Sequence, residues 1–195
     1  MRRYIFKQFR GQGRKQRMAR EACFYSLLKR IGFKVPNIFY QGESFWCWRI
    51  WAASAYWTIS WPWRLGMPVG PDLFRLTCSP VFYACSYMGD FNRSLYYVTG
   101  KSYILGDVNF RNFLLGPDGV YRVDLEDCRQ GRVEEDLGRF IAFFLTYQPA
   151  YTEWKQSQCR MIKEYCRDNL DVDMGLVETE IERELIQMKK RRKSN

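Results

Sequence analysis

Residues 103–127 read YILGDVNFRNFLLGPDGVYRVDLED, and the rest of the chain takes its meaning from them. The pattern predicts a short strand at Tyr103, Ile104 and Leu105, a polar loop GDVNFRN, and a second strand at Phe113, Leu114 and Leu115. Gly-Pro-Asp-Gly follows as a tight turn, because proline presets φ and glycine accepts a positive one. A third strand, Val120 to Val123, runs into the acidic group DLED. So folded, Asp107, Asn112 and Asp124 meet at one edge of a small three-stranded sheet.

Carboxylate and amide oxygens are the ligands that hard cations such as Mg²⁺ prefer, and Mg²⁺ sites are usually completed by substrate phosphates. Asn112 and Asp124 form such a pair. Asp107 lies to one side of them, free to accept a proton from a substrate hydroxyl. A positioned base, metal ligands and little covalent chemistry are what phosphoryl transfer asks of a protein. Acidic and amide residues in loops also cap turns, so it is the succession of loop, hairpin and strand-terminal Asp that gives the pattern its weight.

LGDVNFRNFLL followed by YRVDLED resembles the catalytic and metal-binding loops of the protein-kinase-like superfamily. The likeness is to the aminoglycoside phosphotransferase and lipopolysaccharide (Kdo) kinase type. It implies Asp107 as catalytic base, Asn112 and Asp124 as Mg²⁺ ligands, and ATP as the phosphoryl donor. One departure is visible: the His usual two residues before the Asp is Leu105, and the chain has no His at all. In those families that His mainly supports the loop.

Upstream, RYIFKQF at residues 3–9 alternates as a strand with Lys7 on the face of Ile5 and Phe9, and GQG at 11–13 ends it. Residues 14–31 read as a helix with Met18, Ala22, Tyr25 and Leu28 at helical spacing, and Glu21 lies within it. Strand-Lys, turn, helix-Glu is the order in which the resembling fold presents its phosphate-binding Lys. The resemblance therefore implies that Lys7 contacts the nucleotide phosphates and that Glu21 pairs with Lys7. In such folds a glycine-rich hairpin precedes the Lys strand. The residues before Lys7 are too few to make one, and GQG lies on its other side, so the expectation is a nucleotide held without that flap or a truncated copy. After the helix, Val35-Pro36 favours extended chain, and Ile38 to Tyr40 forms a second short strand.

Residues 44–90 show no clean period, although Trp46, Trp48, Trp51, Trp57, Trp61 and Trp63 crowd into them. The resembling fold would place here a central strand, a hinge and a long helix, with 81–98 supplying part of the helix. Phe45 to Trp63 has three readings: irregular core, sequence that has lost its pattern, or a peripheral membrane-interface contact. A membrane span is not expected, since Arg49 and Pro62 keep the apolar run short of roughly 20 residues.

Downstream, Glu134, Glu135 and Asp136 crowd the start of an apolar helix (Leu137, Phe140, Ile141, Phe144, Leu145), where negative charge meets the helix's positive end. By resemblance, Asp136 would anchor the catalytic loop. Pro149 closes this helix and Thr152 caps another, running to about Asn169, in which Cys159 and Cys166 are packing residues. A last helix spans about 174–191 and ends in Lys189, Lys190, Arg191, Arg192 and Lys193.

At 195 residues and 47% hydrophobic, the chain can build a real core. The net charge of +10 suits an anionic partner, whether nucleotide, nucleic acid or anionic lipid surface, although no base-stacking or groove-reading motif supports nucleic acid. Seven Cys, with no C-x-x-C pair and no His to complete a zinc site, fit scattered reduced thiols in the cytoplasm. MRRYIFKQF has no signal-peptide pattern. The expected fold class is α+β, a single kinase-like domain over residues 1–195. Residues 1–50 would form an incomplete small N-terminal lobe and 51–195 a mainly helical C-terminal lobe, with 44–90 poorly defined. The expected function is an ATP-dependent phosphotransferase moving the γ-phosphate to a hydroxyl-bearing acceptor. The alternative is a catalytically inactive, kinase-shaped binding protein.

Overall fold

The computed structural model describes residues 3–50, 71–116 and 119–193, a mixed fold of helices and small sheets. Its first strand, β1 (Arg3–Gln8), pairs antiparallel with β3 (Phe45–Ile50), which pairs on its other side with β2 (Asn37–Gln41). β3 lies where the sequence shows no period, and its position explains why. It is the central strand of the order β1-β3-β2, and Trp46 and Cys47, on opposite faces, are both buried. A strand covered on both faces loses the polar-apolar alternation that betrays an edge strand. The rest of the Trp-rich run, residues 51–63, falls outside the described residues, and so does the reading of it as core, membrane contact or lost pattern.

α1 (Arg14–Arg30) connects β1 to β2 and packs on the inner face of the sheet. Tyr25 meets Trp46 edge-on at 5.7 Å between ring centroids, Phe9 meets the same ring at 5.3 Å, and Leu28 is fully buried. Gly13 (φ 74°) starts the helix in the left-handed region. Gly32 (φ 78°) ends it, where the N–H groups of Gly32 and Phe33 return to the carbonyls of Lys29 and Leu28. Glu21, fully buried, sits on the same face as the apolar stripe.

α2 (Pro71–Thr99) starts well before the expected 81–98, with Pro80 inside it. Val81, Ala84, Cys85, Met88, Phe91 and Leu95 line its buried face at helical spacing. At Gly89 a Cβ would stand 3.0 Å from Leu170, so the missing side chain makes room for the core.

The expected three-stranded sheet does not form. β5 (Phe113–Gly116) pairs with β6 (Gly119–Arg122) up to Gly116 opposite Gly119, around residues 117 and 118, which are not described. β4 (Tyr103–Ile104) pairs instead with β7 (Arg129–Gln130), Tyr103 opposite Gln130 and Ile104 opposite Arg129. The reason lies at Gly106. Its φ of 80° turns the chain away after β4, and a Cβ there would stand 2.4 Å from the carbonyl oxygen of Asp127. Only glycine accepts both the conformation and the approach. β4 and β7 thus pinch the base of one loop that carries Asp107, Asn112 and Asp124, and within it Phe110–Asn112 forms a 3₁₀ turn.

Three helices complete the fold: α3 (Val133–Thr146), α4 (Glu153–Asn169) and α5 (Met174–Lys193). α3 is the buried centre, with Leu137, Phe140, Ile141, Ala142 and Phe144 at 1% exposure or less. α5 crosses it closely at Gly138, where a Cβ would stand 2.5 Å from that of Glu180. Thr152 caps α4 through the Lys155 N–H at 3.3 Å, and Cys159 and Cys166 pack in the core as expected. Among the described residues no helix is long and apolar enough to cross a membrane.

Candidate functional site

Lys7 points from β1 to the side of the sheet on which α1 packs. Its Nζ lies 2.7 Å from Glu21 Oε2 on α1 and 2.6 Å from Asp124 Oδ1 just beyond β6. A third carboxylate, Glu126, stands 3.3 Å away and also meets Arg17 Nε at 3.6 Å. The other oxygen of Glu21 accepts the Leu125 N–H at 3.0 Å, which ties the helix to the acidic segment independently of Lys7. Burial lowers the affinity of Lys7 for its proton. The charge of Glu21 and the hydrogen bonds to Asp124 and Glu21 outweigh that and hold the ammonium above its ordinary value. For Glu21, deeper in the fold, burial dominates and lifts the carboxyl above its usual range despite Lys7 and the Leu125 N–H.

Asp124 adopts φ 66°, a left-handed conformation unusual for a residue with a side chain. Asp and Asn tolerate it better than most, at a cost of order 1–2 kcal/mol. The turn it makes at the end of β6 swings the next residues back toward α1, so that Asp124 and Glu126 both face Lys7.

The polar loop after β4 is held by side chains rather than by a ladder. Asp136, at the start of α3 and 1% exposed, accepts the N–H groups of Leu105 at 2.6 Å and Gly106 at 3.1 Å. Arg139, one turn on, donates to the Gly106 carbonyl and ion-pairs with Glu184 on α5 at 3.3 Å. The anchoring contact that the resemblance implied for Asp136 is thus present. Burial pushes its carboxyl up to about 6, with the two N–H bonds and Arg139 pulling the other way.

Asp107 projects from this anchored loop, with a quarter of its side chain exposed. Its Oδ1 accepts the Asn109 N–H at 3.1 Å and its Oδ2 accepts Asn112 Nδ2 at 2.9 Å, so it does not stand apart from Asn112 as the sequence suggested. The Asn112 carbonyl accepts the Val123 N–H at 3.0 Å, next to Asp124. Tyr147 steadies Asn109 through a hydroxyl donated to its Oδ1 at 2.9 Å. On the solvent side Arg111 comes within 3.9 Å of Asp107.

The donor set suits a hard divalent cation: carboxylate oxygens of Glu21, Asp124 and Glu126 lie within 4.8 Å of one another. The grouping shares only Asp124 with the expected pair of Asn112 and Asp124, and adds Glu21 and Glu126. Asn112 commits its amide nitrogen to Asp107, so only its amide oxygen could meet a cation. Sequence reading missed Glu126, Arg17 and Arg122. The acidic run DLED signalled the first, but a carboxylate two residues past another marks no pocket by itself. Nothing in VYRVD signals that Arg122 points inward.

No protein-family model matches this chain. No curated protein matches it either. Among solved structures, the gentamicin–APH(2″)-IIa complex is similar over 94% of this chain and 85% of that one, at 12% identity and a TM-score of 0.41.

Proposed function

We propose that the chain is an ATP-dependent phosphotransferase of the protein-kinase-like kind, acting on a hydroxyl-bearing acceptor. The observation that carries this reading is Lys7 held between Glu21 and Asp124 at 2.7 and 2.6 Å, on elements far apart in sequence. In this reading residues 1–50 are a reduced N-terminal lobe and 51–195 the C-terminal lobe. Lys7, oriented by Glu21, meets the phosphates of the nucleotide. Asp107 takes the acceptor's hydroxyl proton as the oxygen attacks the γ-phosphate, with Asn109 and Asn112 fixing the direction of its carboxylate. Asp124 and Asn112 would hold Mg²⁺, with Glu126 beside them, and the ion would supply neutralisation of phosphate charge. Arg111 faces the mouth of the site and helps offset the charge of an incoming anion.

A second reading is favoured by one feature: three carboxylates already satisfy the Lys7 ammonium, as a purely structural ionic lock would. In that case the protein is a kinase-shaped binding module without transfer activity. Thermal unfolding in millimolar ATP and Mg²⁺ separates the two. A ligand at 100 times its Kd stabilises by about 2.7 kcal/mol. The phosphotransferase reading expects a clear shift, abolished in Asp124→Ala, together with transfer to a hydroxyl acceptor lost in Asp107→Asn. A parent protein with no shift is the idle module, and transfer undiminished in Asp124→Ala removes the assigned chemistry.

A further inference from the structure

Arg122 is the least expected side chain of the interior. Burial along β6 alternates, with Val120 and Arg122 inside and Tyr121 between them partly exposed, so an arginine occupies a core position of the strand. It is fully buried, a state arginine almost never reaches unpaired. Among the described residues no carboxylate lies within ion-pair reach of it, and its Nε and Nη1 have no hydrogen-bond partner. One hydrogen bond is formed, from Nη2 to the carbonyl oxygen of Asp107. The guanidinium lies over the Phe113 ring at 5.0 Å.

As a stabiliser, this arrangement makes poor sense. A buried cation whose Nε and Nη1 have no hydrogen-bond partner is costly to desolvate, and an apolar side chain of the same length is often as good or better for folding. Its one bond, however, falls on the backbone of the loop's central acid. The same carbonyl receives Asn112 Nδ2 at 3.3 Å. Two residues earlier stands Leu105, fully buried and without a polar side-chain atom to offer the loop. From Leu105 to Asp107 the loop's backbone is fixed from two sides: Asp136 and Arg139 on α3 hold Leu105 and Gly106, and Arg122 on β6 holds Asp107.

We infer that Arg122 is a positioning residue that sets the direction of the Asp107 carboxylate by holding its backbone carbonyl from beneath. The inference rests on Asp107 being the base. Arg122 touches neither acceptor nor nucleotide in this arrangement; it acts through Asp107 alone. A displacement of about 1 Å in a reacting group can cost a hundredfold in rate. Loss of Arg122 therefore falls on kcat, leaving the nucleotide's affinity and the acceptor KM in place.

The test compares the parent with Arg122→Met, which keeps the length and apolar stem, and Arg122→Lys, which keeps a donor. Backbone hydrogen exchange in the full chain is the first readout. In the Met variant the amides of residues 105–109 should exchange at least about tenfold faster, with α3, α4 and α5 unchanged, and Lys should restore part of the protection. Mg–ATP titration should give affinities within about twofold for all three proteins, while kcat falls about tenfold to a hundredfold in Met and recovers partly in Lys. Unchanged loop exchange in the Met variant overturns the inference. So does loss of protection throughout α2 to α5 in both variants, which would make Arg122 a general structural residue. A parent that transfers no phosphate overturns the proposed function instead, and the loop exchange still decides the role of Arg122.

Discussion

The backbone N–H of Leu125 donates to Glu21 Oε1 at 3.0 Å, joining positions 104 residues apart. The other oxygen of the same buried carboxylate receives Lys7. Glu21 therefore does two things at once: it orients a lysine from β1 and it fixes the acidic segment that carries Asp124 and Glu126. The placement of Lys7 against the acidic segment follows from this one side chain on α1.

Lys7→Met leaves Glu21 fully buried with a single N–H to offset its charge. The expected cost is about 3 kcal/mol in urea unfolding, since removing one partner strands the other. Adding Glu21→Gln to Lys7→Met should recover a large part of it, the sign of direct coupling in a double-mutant cycle. A Lys7→Met protein as stable as its parent would show that the three carboxylates do not depend on the ammonium.

Asp124 combines a functional side chain with an unfavourable φ of 66°. Asp124→Gly and Asp124→Ala both lose the ion pair to Lys7, but glycine also relieves the backbone and should be the more stable of the two by about 1 kcal/mol. Both should lose any thermal shift with Mg–ATP. If glycine is no more stable than alanine at this position, the left-handed conformation carries no strain.

Asp136 makes stability depend on pH in a defined direction. Its carboxyl is pushed up to about 6 in the folded protein from an ordinary value of 3.8, so the folded state binds this proton more tightly than the unfolded one. The associated stability is present below pH 4 and is lost as pH rises through 6, a difference on the order of 3 kcal/mol. Urea midpoints from pH 4 to 7 for the parent and Asp136→Asn isolate the effect. The gap between them should change with pH in that direction, and a constant gap contradicts it.

Gly138→Ala should be destabilising even though alanine is the better helix former by about 1 kcal/mol. The new methyl would stand 2.9 Å from the Ile181 N and Val177 O of α5, and backbone cannot step aside as a flexible side chain can. The helices must separate, at an expected 1–3 kcal/mol. Chemical denaturation measures this directly, and a neutral result would mean that α5 shifts freely on α3.

Much of this was legible in the sequence where local rules decide. The β5–β6 strands, α1, α3, α4 and α5 follow from turn chemistry, period and caps, and the pairing of Lys7 with Glu21 was implied by the resemblance to kinase-like loops. What escaped reading depends on tertiary cover. β3 hides its alternation because both of its faces are buried. The pairing of β4 with β7 rather than with β5 is set by the approach of Asp127 to Gly106, which no window of sequence contains. Glu126 and Arg122 look like surface residues in composition, and only the positive φ of Asp124 and the inward phase of β6 reveal otherwise.

Pinching of the site loop by β4 and β7 also bears on the order of assembly. Asp107, Asn112 and Asp124 sit on one short closed span, whereas Lys7 must arrive across 117 positions. Short spans close first because less chain entropy opposes them. A refolding chain should therefore gather the carboxylates of this span before the lysine neutralises them, and in that interval a divalent cation does not compete with the ammonium. Pulse-labelling should find Ile104 and Arg129 protected ahead of β1, with Mg²⁺ hastening the earlier phase.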